Sequence, residues 1–205
     1  MPDSPTEDNP LLSDAPHVWD DIVRTAGPAS LLLLIESRIG PALRARITAE
    51  DLLQEALLAA WRDRARIEWR GPRAFRAWLV AVIENRIREA ADRGAAAKRG
   101  GGVAPHPLPG PGGAVPAALA ITTTPSRIAQ YSEQATAMRA ALVQLPDELR
   151  DVVRLRLFEQ RTASQIAAEL GIGVGAVLHR FRRGAEMYRM LLTGMLSLRS
   201  RPEPP

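Results

Sequence analysis

At 205 residues, 46% of them hydrophobic, the chain is long enough for one large or two small buried cores. It has no cysteine, which excludes disulfides and thiolate metal sites and is compatible with a reducing compartment. The net charge of +4 is unevenly spread: residues 1–60 hold 4 basic and 10 acidic groups, residues 61–100 hold 11 and 5, and residues 151–205 hold 9 and 5. Two basic regions after an acidic start suggest two contact zones on a polyanion.

The first ten residues are acidic and polar, without the basic start and apolar centre of a secretory signal. The longest aliphatic run, Leu31 to Ile35, is far too short to cross a bilayer, so a cytoplasmic protein with no membrane partner is expected. Tails at residues 1–14 and 198–205 are expected to be disordered. Apolar residues recur at helical spacing along the chain and no segment alternates with period two, so the fold class is all-α.

Thr48, with Asp51 three residues on, caps a helix whose buried side is Leu52, Leu53, Ala56, Leu57, Ala60 and Trp61. Asp51, Gln54, Glu55 and Arg62 share the opposite face, with Leu58 projecting among them. An apolar side chain ringed by charge suits a partner's docking point. Beyond it, Trp61, Trp69, Phe75 and Trp78 alternate with Arg62, Arg64, Arg66, Arg70, Arg73 and Arg76, a mixture suited to single-stranded nucleic acid. Phe75, Trp78, Leu79, Val82, Ile83 and Ile87 also make a helical stripe, which assigns Phe75 and Trp78 to the core. The polar side of that helix offers Asn85, Arg86, Arg88, Glu89, Asp92 and Arg93 to bases and phosphates.

Between Gly94 and Pro125 the sequence turns to glycine, proline and alanine, including Gly100 to Gly102 and the run from Pro105 to Gly113, which cannot form a core. The reading is therefore two small helical domains, residues 15–93 and 126–195, joined by a flexible Gly/Pro-rich linker over 94–125. In the second, Thr162 and Gln165 form a capping box, Gly171 suits a left-handed helix end and Gly173 a second N-cap. Val174, Val177, Phe181, Ala185 and Tyr188 then form a buried stripe expected to pack on Ile166, Leu170 and Ile172. At about 100° per residue, Gly175, Ala176, His179, Arg180 and Arg183 fall on the opposite face, where the recognition helix of a helix-turn-helix meets the major groove.

No catalytic, cofactor or metal constellation emerges. His17, His106 and His179 lie in unrelated contexts, and no histidine or second carboxylate pair joins Asp51 and Glu55, so a non-enzyme without cofactor is expected.

Taken together, these residues resemble the bacterial RNA polymerase sigma factors of the extracytoplasmic-function group, which keep only regions two and four. The resemblance is carried by Glu50 to Arg62 and by Trp69, Arg70, Gly71, Phe75 to Leu79, Asn85 and Arg86. It continues through Leu145 to Arg156 and the helix-turn-helix. It implies that Asp51, Gln54, Glu55 and Leu58 bind the β′ clamp helices of core RNA polymerase. Trp69, Asn85, Arg86, Glu89 and Arg93 would meet the melted minus-ten element, and Gly175, Ala176, His179, Arg180 and Arg183 the duplex minus-thirty-five element. Core polymerase, including its β flap, and promoter DNA are the implied partners, with room for an anti-sigma factor. Gly173, Ala176, Leu178 and Ala91 depart from the family's usual residues, so promoter preference does not carry over. A helix-turn-helix repressor acting without polymerase is the competing reading, and it predicts a dimer on a palindromic operator.

Overall fold

The computed structural model describes residues 9–13, 15–98 and 124–199, and over them every regular element is helical. A short 3-10 turn η1 (Pro10–Leu12) precedes α1 (Pro16–Ala26), α2 (Pro28–Arg38), α3 (Pro41–Arg44) and α4 (Ala49–Asp63). A second 3-10 turn, η2 (Arg64–Arg66), leads to α5 (Pro72–Lys98). The remaining helices are α6 (Pro125–Val143), α7 (Asp147–Leu157), α8 (Ala163–Leu170) and α9 (Val174–Arg199).

The chain divides into two compact units, Met1–Tyr131 and Ser132–Pro205. Two boundaries differ from expectation. Helix α5 runs through Gly94 to Lys98, into the segment read as linker, because alanines at 95–97 sustain a helix past a single glycine. The first unit also includes the opening turns of α6, where Arg127 pairs with Asp20 of α1 at 3.1 Å. The remainder of the expected linker, residues 99–123 with its Gly100–Gly102 and Pro105–Gly113 runs, lies outside the described residues, as do 1–8, 14 and 200–205.

In the first unit, proline occupies the first turn of α1, α2 and α3, where its missing N–H costs no hydrogen bond. Gly27, at φ 74°, ends α1 in the left-handed conformation and hands the chain directly to Pro28. Helix α2, carrying the aliphatic run, is the centre of the unit: Leu31, Leu32, Leu34 and Ile35 are all buried, and it packs on both α4 and α5. A helix apolar on most sides is satisfied only when neighbours cover most sides. Trp19, Leu52, Leu53, Leu57, Leu79 and Ile83 complete this core. Trp19 meets Trp61 edge-on at 5.1 Å and Phe75 at 6.0 Å.

Part of the N-terminal tail is ordered, against expectation. Asn9 caps η1 by accepting a hydrogen bond from the Leu11 N–H, and Leu11 is 1% exposed. One buried leucine is worth about 1.5–3 kcal/mol, enough to hold a short segment down. At the other end, α9 continues to Arg199, past the start of the expected tail at 198.

In the second unit, Val152, Leu155, Ile166, Ala167 and Val177 form the core, with Leu170, Ile172 and Phe181 packed against it as the apolar periodicity requires. Val174, expected in this stripe, is 43% exposed: it is the first residue of α9, and packing begins one turn later at Val177. Gly184 brings α9 very close to α7, since a Cβ there would lie 2.7 Å from Val153 Cγ2 and 3.2 Å from Leu149 Cβ. Tyr188 is buried edge-on to Phe158 and donates to the Met138 carbonyl at 3.4 Å.

Candidate nucleic-acid and partner interfaces

On α4 both halves of the capping box are present: Thr48 Oγ1 accepts from the Asp51 N–H and Asp51 Oδ2 accepts from the Thr48 N–H, each at 3.1 Å. The Asp51 carboxylate therefore has a structural task and keeps only part of its accepting capacity for a partner. Leu52, Leu53, Ala56, Leu57, Ala60 and Trp61 are all buried, leaving Asp51, Gln54 and Arg62 exposed on the other face. Leu58 and Glu55 are half-buried, so the apolar side chain lies low among the polar ones instead of projecting freely.

The aromatic and arginine stretch sorts into separate tasks. Phe75 is buried, and Trp69 and Trp78, both half-buried, lie 6.0 Å from its ring, Trp78 stacked and Trp69 tilted by 43°. Trp78 is thus at the core's edge. Arg76 is withdrawn from any ligand: it is 7% exposed and its guanidinium donates to the carbonyl of Ala26, at the end of α1, and to that of Gly27, which also accepts from the first turn of α2. Burial pushes its pKa below the ordinary arginine value. Arg64 lies 3.9 Å over the Trp61 ring and donates to the Trp61 carbonyl. Arg66, Arg70 and Arg73 remain exposed around Trp69. Arg70 and Glu68, both in solvent, hold each other's charges, so the Glu68 carboxyl sits below and the Arg70 guanidinium above its usual value.

The residues expected at the minus-ten element fall into two groups. Asn85, Arg86, Glu89 and Arg93 lie on consecutive turns of α5, where Arg86 donates to Glu89 at 2.7 Å and Asn85 accepts from Arg88 at 2.7 Å. Trp69 precedes that helix with its ring 6.0 Å from that of Phe75, and the rise from Phe75 to Asn85 is about 15 Å at about 1.5 Å per residue. Arg66 at the end of η2, Arg70 in the loop and Arg73 in the first turn of α5 flank Trp69 along the chain, a grouping already present in the alternating sequence.

In the second unit, Thr162 and Gln165 cap α8 reciprocally, and Gly171 closes it at φ 64°. Only Ile172 and Gly173 separate Gly171 from the start of α9, giving the tight two-helix geometry of a helix-turn-helix. Gly175, Ala176, His179 and Arg183 are exposed as expected, and Arg182 joins them. Arg180 differs: it is half-buried and paired with Glu148 of α7 at 3.6 Å. The periodicity of α9 could not reveal a partner on another helix. Leu178, 51% exposed, adds an apolar group to the same surface, the kind of side chain that contacts a thymine methyl.

Among the described residues no helix is long and apolar enough to cross a membrane.

Comparison with known proteins agrees with this geometry. The Sigma-70 region 2 family model matches residues 36–96, from the end of α2 into α5, and the Sigma-70, region 4 model matches residues 135–186, covering the helix-turn-helix. An ECF RNA polymerase sigma factor, SigE, of Mycolicibacterium smegmatis (strain ATCC 700084 / mc(2)155) is 30% identical over 141 residues, which is 69% of this chain and 50% of that protein. The chain thus spans about half the length of the curated relative it matches. With both regions present in order, one in each compact unit, the chain belongs to the sigma-70 family, in its extracytoplasmic-function group.

Proposed function

We propose that this chain is a promoter-specificity subunit: it binds core RNA polymerase, directs it to particular promoters and assists their melting, and it works in the cytoplasm without chemistry of its own. The observation that carries the reading is the pairing, in one chain, of a region 2 unit with a region 4 unit whose recognition helix turns His179, Arg182 and Arg183 to solvent.

Asp51, Gln54, Glu55 and Leu58 dock on the β′ clamp helices, with the half-buried Leu58 supplying a shallow apolar contact and the polar side chains around it the specificity. Trp69 with Arg66, Arg70 and Arg73 captures unpaired bases, while Asn85, Arg86, Glu89 and Arg93 meet the strand about two helical turns or more away along α5. Unpairing costs a few kcal/mol per base, and stacking on an aromatic ring returns about 1–3 kcal/mol. Gly175, Ala176, His179, Arg180 and Arg183 read the minus-thirty-five duplex, and the second unit also touches the β flap.

Co-purification of the chain with core polymerase, followed by sequencing of the DNA that the complex protects, tests this. One copy per polymerase on bipartite promoters is expected. A dimer bound to palindromic sites without polymerase would overturn it.

A further inference from the structure

We propose that Asn9 and Leu11 are positioning residues for the loop that captures unpaired bases, so that the N-terminal strap is a working part of the melted-strand reader. The inference rests on the function proposed above and adds residues that lie outside the stretch matched to region 2, which begins at 36.

The strap is held both by its own chain neighbours and by one distant partner. Asn9 uses its two side-chain atoms in opposite senses: Oδ1 accepts from the Leu11 N–H at 3.0 Å, and Nδ2 donates to the carbonyl of Ile67 at 3.0 Å, 58 residues further on. Leu11 is 1% exposed, and η1 packs against both α1 and η2. One short segment is therefore clamped between the core of the first unit and the loop.

The loop has few other ties besides the Trp69 ring, which lies 6.0 Å from that of Phe75. Between η2 and α5 the backbone forms no regular structure, and Gly71, at φ 90°, lets the chain turn into α5. Its local hydrogen bonds lie at the two ends, from the Ile67 N–H to the Arg64 carbonyl and from the Phe75 N–H to the Gly71 carbonyl. Glu68 and Arg70 pair with each other in solvent and tie the loop to nothing else. Trp69 stands in this middle stretch, two residues beyond the carbonyl that Asn9 holds. A base stacks well only on a ring whose plane is already fixed, because ordering the loop during binding offsets part of the stacking. The Asn9 bond fixes the backbone next to that ring before the strand arrives.

The two bonds of Asn9 can be separated by substitution. Asn9→Ser keeps an acceptor that caps η1, since serine is a good N-cap, but removes the amide that reaches Ile67. Asn9→Ala removes both. Each full-length variant is assembled with core polymerase and titrated against two probes built from a promoter mapped with this protein. The first is a fork whose single-stranded arm carries the minus-ten element, and the second is a duplex carrying only the minus-thirty-five element. Both variants should lose up to about five- to tenfold in affinity for the fork, bounded by one hydrogen bond's net contribution, with unchanged affinity for the duplex; the melting temperature should fall by a few degrees at most, and further for Asn9→Ala, which also loses the cap. Fork binding by Asn9→Ser equal to wild type would overturn the proposal, leaving Asn9 a cap only. An equal loss on both probes would also overturn it, by making the defect general. If the wild-type complex binds the fork no better than a fully paired minus-ten probe, base capture itself fails, and that outcome is distinguishable from failure of the strap.

Discussion

Replacing Gly184 with alanine should destabilise the second unit, although helix propensity alone argues the reverse. Gly184 lies within α9, where alanine is favoured over glycine by about 1 kcal/mol. The added Cβ, however, would lie 2.7 Å from Val153 Cγ2, 3.2 Å from Leu149 Cβ and 3.4 Å from the Leu149 carbonyl oxygen. Carbon atoms in contact prefer about 3.5–4.0 Å, and Val153 is fully buried with no room to retreat, so α9 must lift from α7 by a substantial fraction of an ångström. Overpacking of this kind costs about 1–3 kcal/mol. The net expectation is a loss of about 1 kcal/mol, or about 4–8 °C in Tm for a domain of this size.

Thermal unfolding followed by circular dichroism measures it, with two internal controls. Gly194 is on the same helix, exposed, with nothing near its Cβ direction, so Gly194→Ala should raise Tm. Val153→Ala removes the obstructing Cγ2, so Gly184→Ala should cost less in that background than in the wild type, a coupling of about 1 kcal/mol. A rise in Tm for Gly184→Ala, or strict additivity with Val153→Ala, would refute the reasoning.

Gln160, at φ 54°, holds a left-handed conformation in the turn between α7 and α8, so Gln160→Gly should stabilise the second unit by about 1 kcal/mol in denaturant unfolding. Burial pushes the Tyr188 phenol up to about 12 from an ordinary 10.0; the neutral form is the one the fold accommodates, so stability is fully present below pH 10 and is lost as pH rises towards 12, and Tyr188→Phe should flatten that stretch of the pH–stability curve. Arg182→Ala and Arg183→Ala should each lower the slope of log affinity against log salt for promoter duplex by about one unit if each meets a phosphate, as a filter-binding salt titration would reveal. Glu55→Ala should weaken assembly with core polymerase in a fluorescence titration while leaving Tm within about 1 °C, because surface substitutions away from caps and cores change stability little.

What the sequence made legible was local. Thr48 with Asp51, and Thr162 with Gln165, announce their capping boxes within four residues, and Gly171 marks its left-handed end alone. The residues of α4 expected on its buried side are all buried, and Ala49 and Ala59 join them. What stayed hidden depends on pairs distant in sequence. Arg76 reads as one more basic residue until the end of α1, about fifty positions earlier, is seen to need its guanidinium. Arg180 reads as a free groove contact until α7 brings Glu148 against it. Asn9 falls in an acidic, polar tail whose composition says disorder, and its distant task, holding the Ile67 carbonyl, shows only in the fold.

Side-chain pairs, near and distant in sequence, bear on how such a chain avoids DNA it should not hold. Several side chains proposed for strand or groove contact already have protein partners: Arg86 with Glu89, Asn85 with Arg88, and Arg180 with Glu148. Exposed pairs of this kind are worth about 0–1 kcal/mol each, so a ligand with good geometry can displace them and a poorly fitting one gains little by doing so. Arg182 and Arg183, exposed to solvent, can supply the sequence-independent attraction, whereas Arg180 must leave Glu148 to contribute. Glu148→Gln would release Arg180 without removing its charge. If the pair tempers non-specific contact, that variant should bind random duplex more tightly than wild type while its promoter affinity rises by less, narrowing the specificity ratio measured by competition at fixed salt. An equal gain on both sequences would mean that Glu148 acts only as a general negative charge. No gain on either would mean that Arg180 stays in place through packing and its pair with Glu148 restrains nothing.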